Sequence, residues 1–61
     1  MDVYLVNLRD QQVRPTINSG NGPETLPLEA RASSNDFPEE QLTQYTRDLA
    51  DNGWIQIKPS V

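Results

Sequence analysis

Cysteine and histidine are both absent from the 61 residues, lysine occurs once beside four arginines, and only four residues are aromatic. Without cysteine there is no disulfide and no thiol nucleophile, and without histidine the commonest general base is missing; together the two absences remove the usual zinc ligands. Carboxylates, hydroxyls and a few cations remain, so the expectation is a non-enzyme with no catalytic residue, no cofactor and no metal. Long apolar runs are missing too. The stretch 1–8 is broken by Asp2 and Asn7 and closed by Arg9, far short of the ~20 residues of a membrane span and without a secretory-signal core. A cytoplasmic protein with no membrane contact is expected. The basic residues Arg9, Arg14, Arg31, Arg47 and Lys58 are scattered, with no stripe to track phosphates, which argues against direct binding of DNA or RNA.

What the chain does have is acid. Nine Asp and Glu against five Lys and Arg leave a formal charge of -4, which steers a protein toward basic surfaces. The length allows one small domain over 1–61. Such a chain buries about 60% of its unfolded surface, and a hydrophobic gain on the order of 90 kcal/mol is nearly cancelled by ordering at about 1.5 kcal/mol per residue. With no disulfide or metal to make up the difference, another protein surface is the remaining source of stability. The expected partner is a larger protein with a basic patch, or a second copy of this chain as a homo-oligomer.

Along the chain, 2–9 places Tyr4, Val6 and Leu8 on one pleat face and Val3 and Leu5 on the other, as a central strand does. Segment 13–18 reads as an edge strand pairing back on the first, because Pro15 lacks a ladder donor. The run Asn18-Ser19-Gly20-Asn21-Gly22-Pro23 is turn chemistry throughout and predicts a mobile loop at about 18–24. Leu26, Leu28, Ala30 and Ala32 then alternate as a third strand, whose small alanines leave room for a helix across that face.

The helix is expected over 37–52. Asp36 as cap, Glu39 three residues later and Pro38 in the first turn mark its start. Leu42, Tyr45, Leu49 and Ala50 form its apolar stripe, and Asn52-Gly53 closes it. Trp54 to Lys58 gives a last strand. The resulting fold class is α+β, a small three- to four-stranded sheet with one amphipathic helix packed on one face, in the order β-β-β-α-β.

Candidate partner-binding residues are Trp54, Tyr4, Asp48, Asp51, Glu39 and Glu40. A sheet face left open that carries Trp54 with Tyr4, or Val3 and Leu5, supplies the aromatic anchor typical of an interface; the other reading of Trp54 is the hydrophobic contact of the helix C-cap. Asp48 and Asp51 sit near the helix C-terminus, where negative charge is disfavoured unless Arg47 or Lys58 compensates or a basic partner meets it. Glu39 and Glu40 complement the positive end of the helix dipole and extend the acidic surface. The function implied is that of a small acidic, non-catalytic protein-interaction module, an accessory subunit or inhibitor that covers a surface of a larger protein. The alternatives are a structural homo-oligomer, or an acidic mimic of nucleic acid that occupies a DNA- or RNA-binding groove. In size and charge alone the chain resembles small phage or accessory proteins that block larger machinery, a likeness that covers no motif.

Overall fold

A computed structural model describes residues 1–60. Strand β1 (Asp2–Asn7) runs through the middle of a three-stranded sheet, flanked by the short β4 (Phe37–Pro38) and by β5 (Ile55–Pro59), both antiparallel to it. The chain is α+β, with this sheet, a second two-stranded sheet of β2 (Thr16–Asn18) and β3 (Pro23–Thr25), and one helix, α1 (Gln44–Asp51). Because β4 and β5 both oppose β1, the helical connection between them crosses over β1 to the far edge.

The central position of β1 follows from its apolar residues on both faces, as the sequence leads one to expect. Val3, Leu5 and Asn7 are buried while Tyr4 and Val6 are half-buried. Val3 and Leu5 join Val13, Ile17, Leu28, Phe37 and Ile55 in one core, with Leu42, Leu49, Ala50 and Ile57 packed against it.

Segment 13–18 pairs elsewhere than expected. Its partner is 23–28 rather than β1, in one continuous register: Val13 opposes Leu28, Thr16 opposes Thr25 and Asn18 opposes Pro23. Leu26 N–H also donates to Pro15 C=O at 2.8 Å. Pro15 cannot return a hydrogen bond to Leu26, so this long hairpin is broken into β2–β3 and an isolated bridge. The glycine-rich run forms its tip, closed by Ser19 N–H on Gly22 C=O at 3.2 Å, while Pro23 and Glu24, expected in the loop, lie in β3. Leu26 and Leu28 thus do belong to an extended arm. Ala30 instead enters a turn in which Ala32 N–H reaches Glu29 C=O at 2.9 Å and Arg31 takes φ 63°. The helix packs on β5 and β2, and Ala30, expected beneath it, is exposed.

The edge strand beside β1 carries a bulge. Val3 opposes Phe37, yet Val6 opposes Ser33 and Ser34 N–H bonds Leu5 C=O at 2.8 Å. Asn35 and Asp36 together therefore face Tyr4 alone, two residues against one. Leu5 N–H, deprived of a regular carbonyl, donates to Ser34 Oγ at 2.9 Å.

That pairing also explains why α1 starts late. Phe37 is buried in the core and extended in the ladder, and a helix beginning there would lose both. Pro38 is likewise extended, Glu39–Gln41 make one tight 3-10 turn, and Thr43 rather than Asp36 is the cap, its Oγ1 accepting Thr46 N–H at 3.2 Å. The helix buries Thr46, with half-buried Leu49 and Ala50 packed against the core; Leu42, expected in the same stripe, precedes the cap and reaches the core from outside the helix, and Tyr45, also expected there, is 57% exposed. The helix end follows the sequence reading closely. Gly53 at φ 79° lets its own N–H reach Ala50 C=O at 3.1 Å and Trp54 N–H reach Leu49 C=O at 3.0 Å, the two bonds of a Schellman motif.

Asn7 knits the loops to the sheet. It is fully buried, and its Nδ2 points at Gln11, Leu28 and Glu29 carbonyls at 2.9, 3.0 and 2.9 Å while its Oδ1 accepts Arg9 N–H at 2.8 Å.

Candidate functional site

Side chains directly opposite in a ladder share a face. The β1–β5 register, which sets Tyr4 against Lys58 and Val6 against Gln56, therefore sorts the sheet into two sides. Val3, Leu5, Ile55 and Ile57 face the core. Tyr4, Val6, Leu8, Trp54, Gln56 and Lys58 share the other side. Trp54 and Leu8 are 37% and 36% exposed there, and the Arg9 guanidinium lies 4.4 Å from the centre of the indole ring, close enough for a cation–π contact. The register thus sets Tyr4 and Trp54 on the same side of the sheet, with Lys58 opposite Tyr4 and Arg9 over the indole.

The candidate acids lie elsewhere and do not form one cluster. Asp48 is exposed and accepts a hydrogen bond from Gln44 Nε2 at 2.9 Å. Asp51 is exposed in the last helical turn. Among the described residues the one ion pair is Arg31–Asp10 at 2.9 Å, so neither Arg47 nor Lys58 compensates the helix end. Glu39 and Glu40 are exposed on the 3-10 turn after β4, displaced from the N-terminus of α1 that they were expected to complement.

What lies beside that 3-10 turn is a groove that the sequence reading did not identify. It is open to solvent, with a volume of about 590 Å³, and runs between the β2–β3 hairpin and the bulged segment 33–38. Ile17, Leu26, Pro27, Leu28, Phe37 and Pro38 supply its apolar lining. Three of them belong to the core, so the groove reaches the interior instead of resting on a polar surface. Its polar lining includes Glu24, Asp36 and Gln41 and contains no lysine or arginine. One oxygen of Asp36 accepts the Ser60 hydroxyl, tying the bulge to the chain after β5.

The local chemistry accounts for the shape. Pro27 and Pro38 hold their neighbours extended, and the bulge at Asn35–Asp36 bends the edge away from regular pairing. The hairpin and the edge strand consequently do not meet, and the gap between them stays open. The only signal in the sequence was the pair of proline-bearing apolar fragments, Leu26-Pro27-Leu28 and Phe37-Pro38, far apart along the chain.

The chain matches no known protein family, no curated protein and no solved structure. Among the described residues no helix is long and apolar enough to cross a membrane, and no group of three or more carboxylates is arranged to hold a metal ion.

Proposed function

We propose that this protein is a non-catalytic docking module whose groove between the hairpin and β4 takes an extended segment of a larger protein, with an apolar side chain flanked by lysine or arginine. The observation that carries this reading is the pairing of an apolar floor, Ile17, Leu28 and Phe37, with Glu24 and Asp36 and no cation in the lining. An apolar side chain entering the groove covers surface that no described residue covers. The cations beside it meet carboxylates, which orient the segment and speed its encounter more than they add affinity. Glu39 and Glu40, next to the groove, extend the field that attracts a basic partner. The absence of histidine and cysteine supports a role in binding instead of catalysis.

The test is a titration of the 15N-labelled protein with an extended peptide bearing leucine between lysines, followed by NMR. Shifts confined to 24–28 and 33–41, with a glutamate-flanked counterpart binding at least tenfold more weakly, are the expected result. Shifts centred on Trp54 and Tyr4, or equal binding of the two peptides, would contradict it.

A further inference from the structure

Asparagine stands directly before glycine twice, at Asn21-Gly22 and at Asn52-Gly53. That step carries a chemistry of its own. The glycine nitrogen can attack the side-chain carbonyl carbon of the asparagine, and with no Cβ on the glycine nothing crowds the approach. Asparagine is for this reason among the thermolabile residues. Exposure does not favour the first step over the second: both asparagines are exposed, and Gly53 is more open than Gly22, which is half-buried. Hydrogen bonding and backbone geometry separate them.

At the helix end the attacking nitrogen is occupied. Gly53 N–H donates to Ala50 C=O at 3.1 Å and Trp54 N–H to Leu49 C=O at 3.0 Å. Asn52 holds ψ at 0°, which turns the following nitrogen away from its own side chain. Closing a ring there requires a rotation that breaks the Schellman bonds. At the hairpin tip the corresponding nitrogen is not engaged. Ser19 N–H and Ser19 Oγ both meet the Gly22 carbonyl, at 3.2 and 3.4 Å, so the tip is fastened through Gly22 C=O, and among the described residues its N–H bonds to nothing. Gly20 and Gly22 flank Asn21 with φ of 93° and 111°, and open space surrounds the place of either missing Cβ.

We infer that Asn21 is a site of spontaneous deamidation and that the fold protects Asn52, which has the same neighbour. Hydroxide removes the Gly22 amide proton and the nitrogen forms a bond to Asn21 Cγ. The Cγ–Nδ2 bond then breaks as Nδ2 takes a proton from water and leaves as ammonia, so that a five-membered succinimide remains. Water opens this ring at either carbonyl. Cleavage of the new bond gives aspartate; cleavage of the original peptide bond gives isoaspartate, whose main chain runs through Cβ and Cγ. Nothing is oxidised or reduced, and each product carries one more negative charge than the parent. Isoaspartate lengthens the tip by one main-chain atom between Ser19 and Gly22, the two residues whose bond closes it. The hairpin therefore loosens at its end, two residues from Glu24 in the groove wall. This chemistry is independent of what docks in the groove.

The test is to keep the folded chain in mildly alkaline buffer and to follow its tryptic peptides by mass spectrometry. Cuts after Arg9, Arg31 and Arg47 place Asn21 in 10–31 and Asn52 in 48–61, since proline follows Arg14 and Lys58, and fragmentation tells Asn21 from Asn18. The expected result is conversion at Asn21 about tenfold or more faster than at Asn52, rising with pH and giving isoaspartyl as well as aspartyl product. The Ser19 amide of the converted chain should exchange its hydrogen about tenfold or more faster than in the parent. In concentrated urea, where neither site is held, the two rates should come within about threefold of each other. Equal rates in the folded chain would overturn the inference, because the helix end would then give no protection. A preference for Asn21 that persists undiminished in urea would overturn it as well, since sequence neighbours and not the fold would be its cause.

Discussion

The hydroxyl of Thr46 occupies the place of a neighbouring strand for Thr16: it accepts Thr16 N–H at 3.0 Å and donates to Thr16 C=O. Thr43 adds a second donor to the same carbonyl at 2.7 Å. Two hydroxyls at the start of α1 thereby fasten the helix to the hairpin, and Thr46, fully buried, makes the larger share of that contact.

Removing that hydroxyl while keeping the shape isolates its worth. Thr46→Val leaves Thr16 N–H without a partner and should cost about 1–3 kcal/mol in urea denaturation, whereas Thr46→Ser should cost less than Thr46→Val because the bonds survive. Equal stability of Thr46→Val and the parent chain would contradict the role given to this residue.

Asn7 should be more sensitive still. Its Nδ2 shares two hydrogens among three carbonyls and its Oδ1 accepts one N–H, and Asn7→Ala is expected to cost about 2–4 kcal/mol. Asn7→Asp should be no milder, because a carboxylate would face carbonyl oxygens where the amide now donates. A loss under about 0.5 kcal/mol, the level of an ordinary surface change, would show that the loops hold without it.

Gly53 provides a test of backbone conformation alone. A Cβ there would meet nothing within 4 Å, yet φ is 79°. Gly53→Ala should therefore destabilise by about 1–2 kcal/mol through strain and not through a clash. Thermal unfolding that is unchanged would argue against the Schellman end of α1.

Where local chemistry decided the outcome, the sequence was readable. Apolar side chains on both faces marked β1 as central, and Asn52-Gly53 ended the helix where the glycine does. Strand alternation set Trp54 on the face opposite Ile55 and Ile57, but it took the β1–β5 register to place Tyr4 there and not Val3 and Leu5. The helix start was misread because the Asp36-Phe37-Pro38-Glu39 pattern of a capping box competes with a distant preference: Phe37 pairs with Val3 and fills the core. Thr46 was overlooked because its burial depends on Thr16, thirty residues away, and not on its own polarity. The prolines at 15 and 27 hid a hairpin whose register is continuous from Val13 to Leu28. The groove was hidden for the same reason, since it forms between segments whose separation in space no local pattern encodes. The acids of the helix end drew notice by breaking a local rule, whereas Glu24 and Asp36 break none.

Binding of the lysine-flanked leucine peptide to charge-reversed variants, measured by titration at low and high salt, tests the docking role most directly. The parent chain should bind weakly, with a dissociation constant of about 0.1–1 mM. Glu24→Lys combined with Asp36→Lys should weaken binding at least tenfold, and Asp48→Lys combined with Asp51→Lys should leave it within about threefold of the parent, roughly 0.7 kcal/mol. Loss of binding on reversing the helix acids, with the groove pair reversed at no cost, would contradict the account.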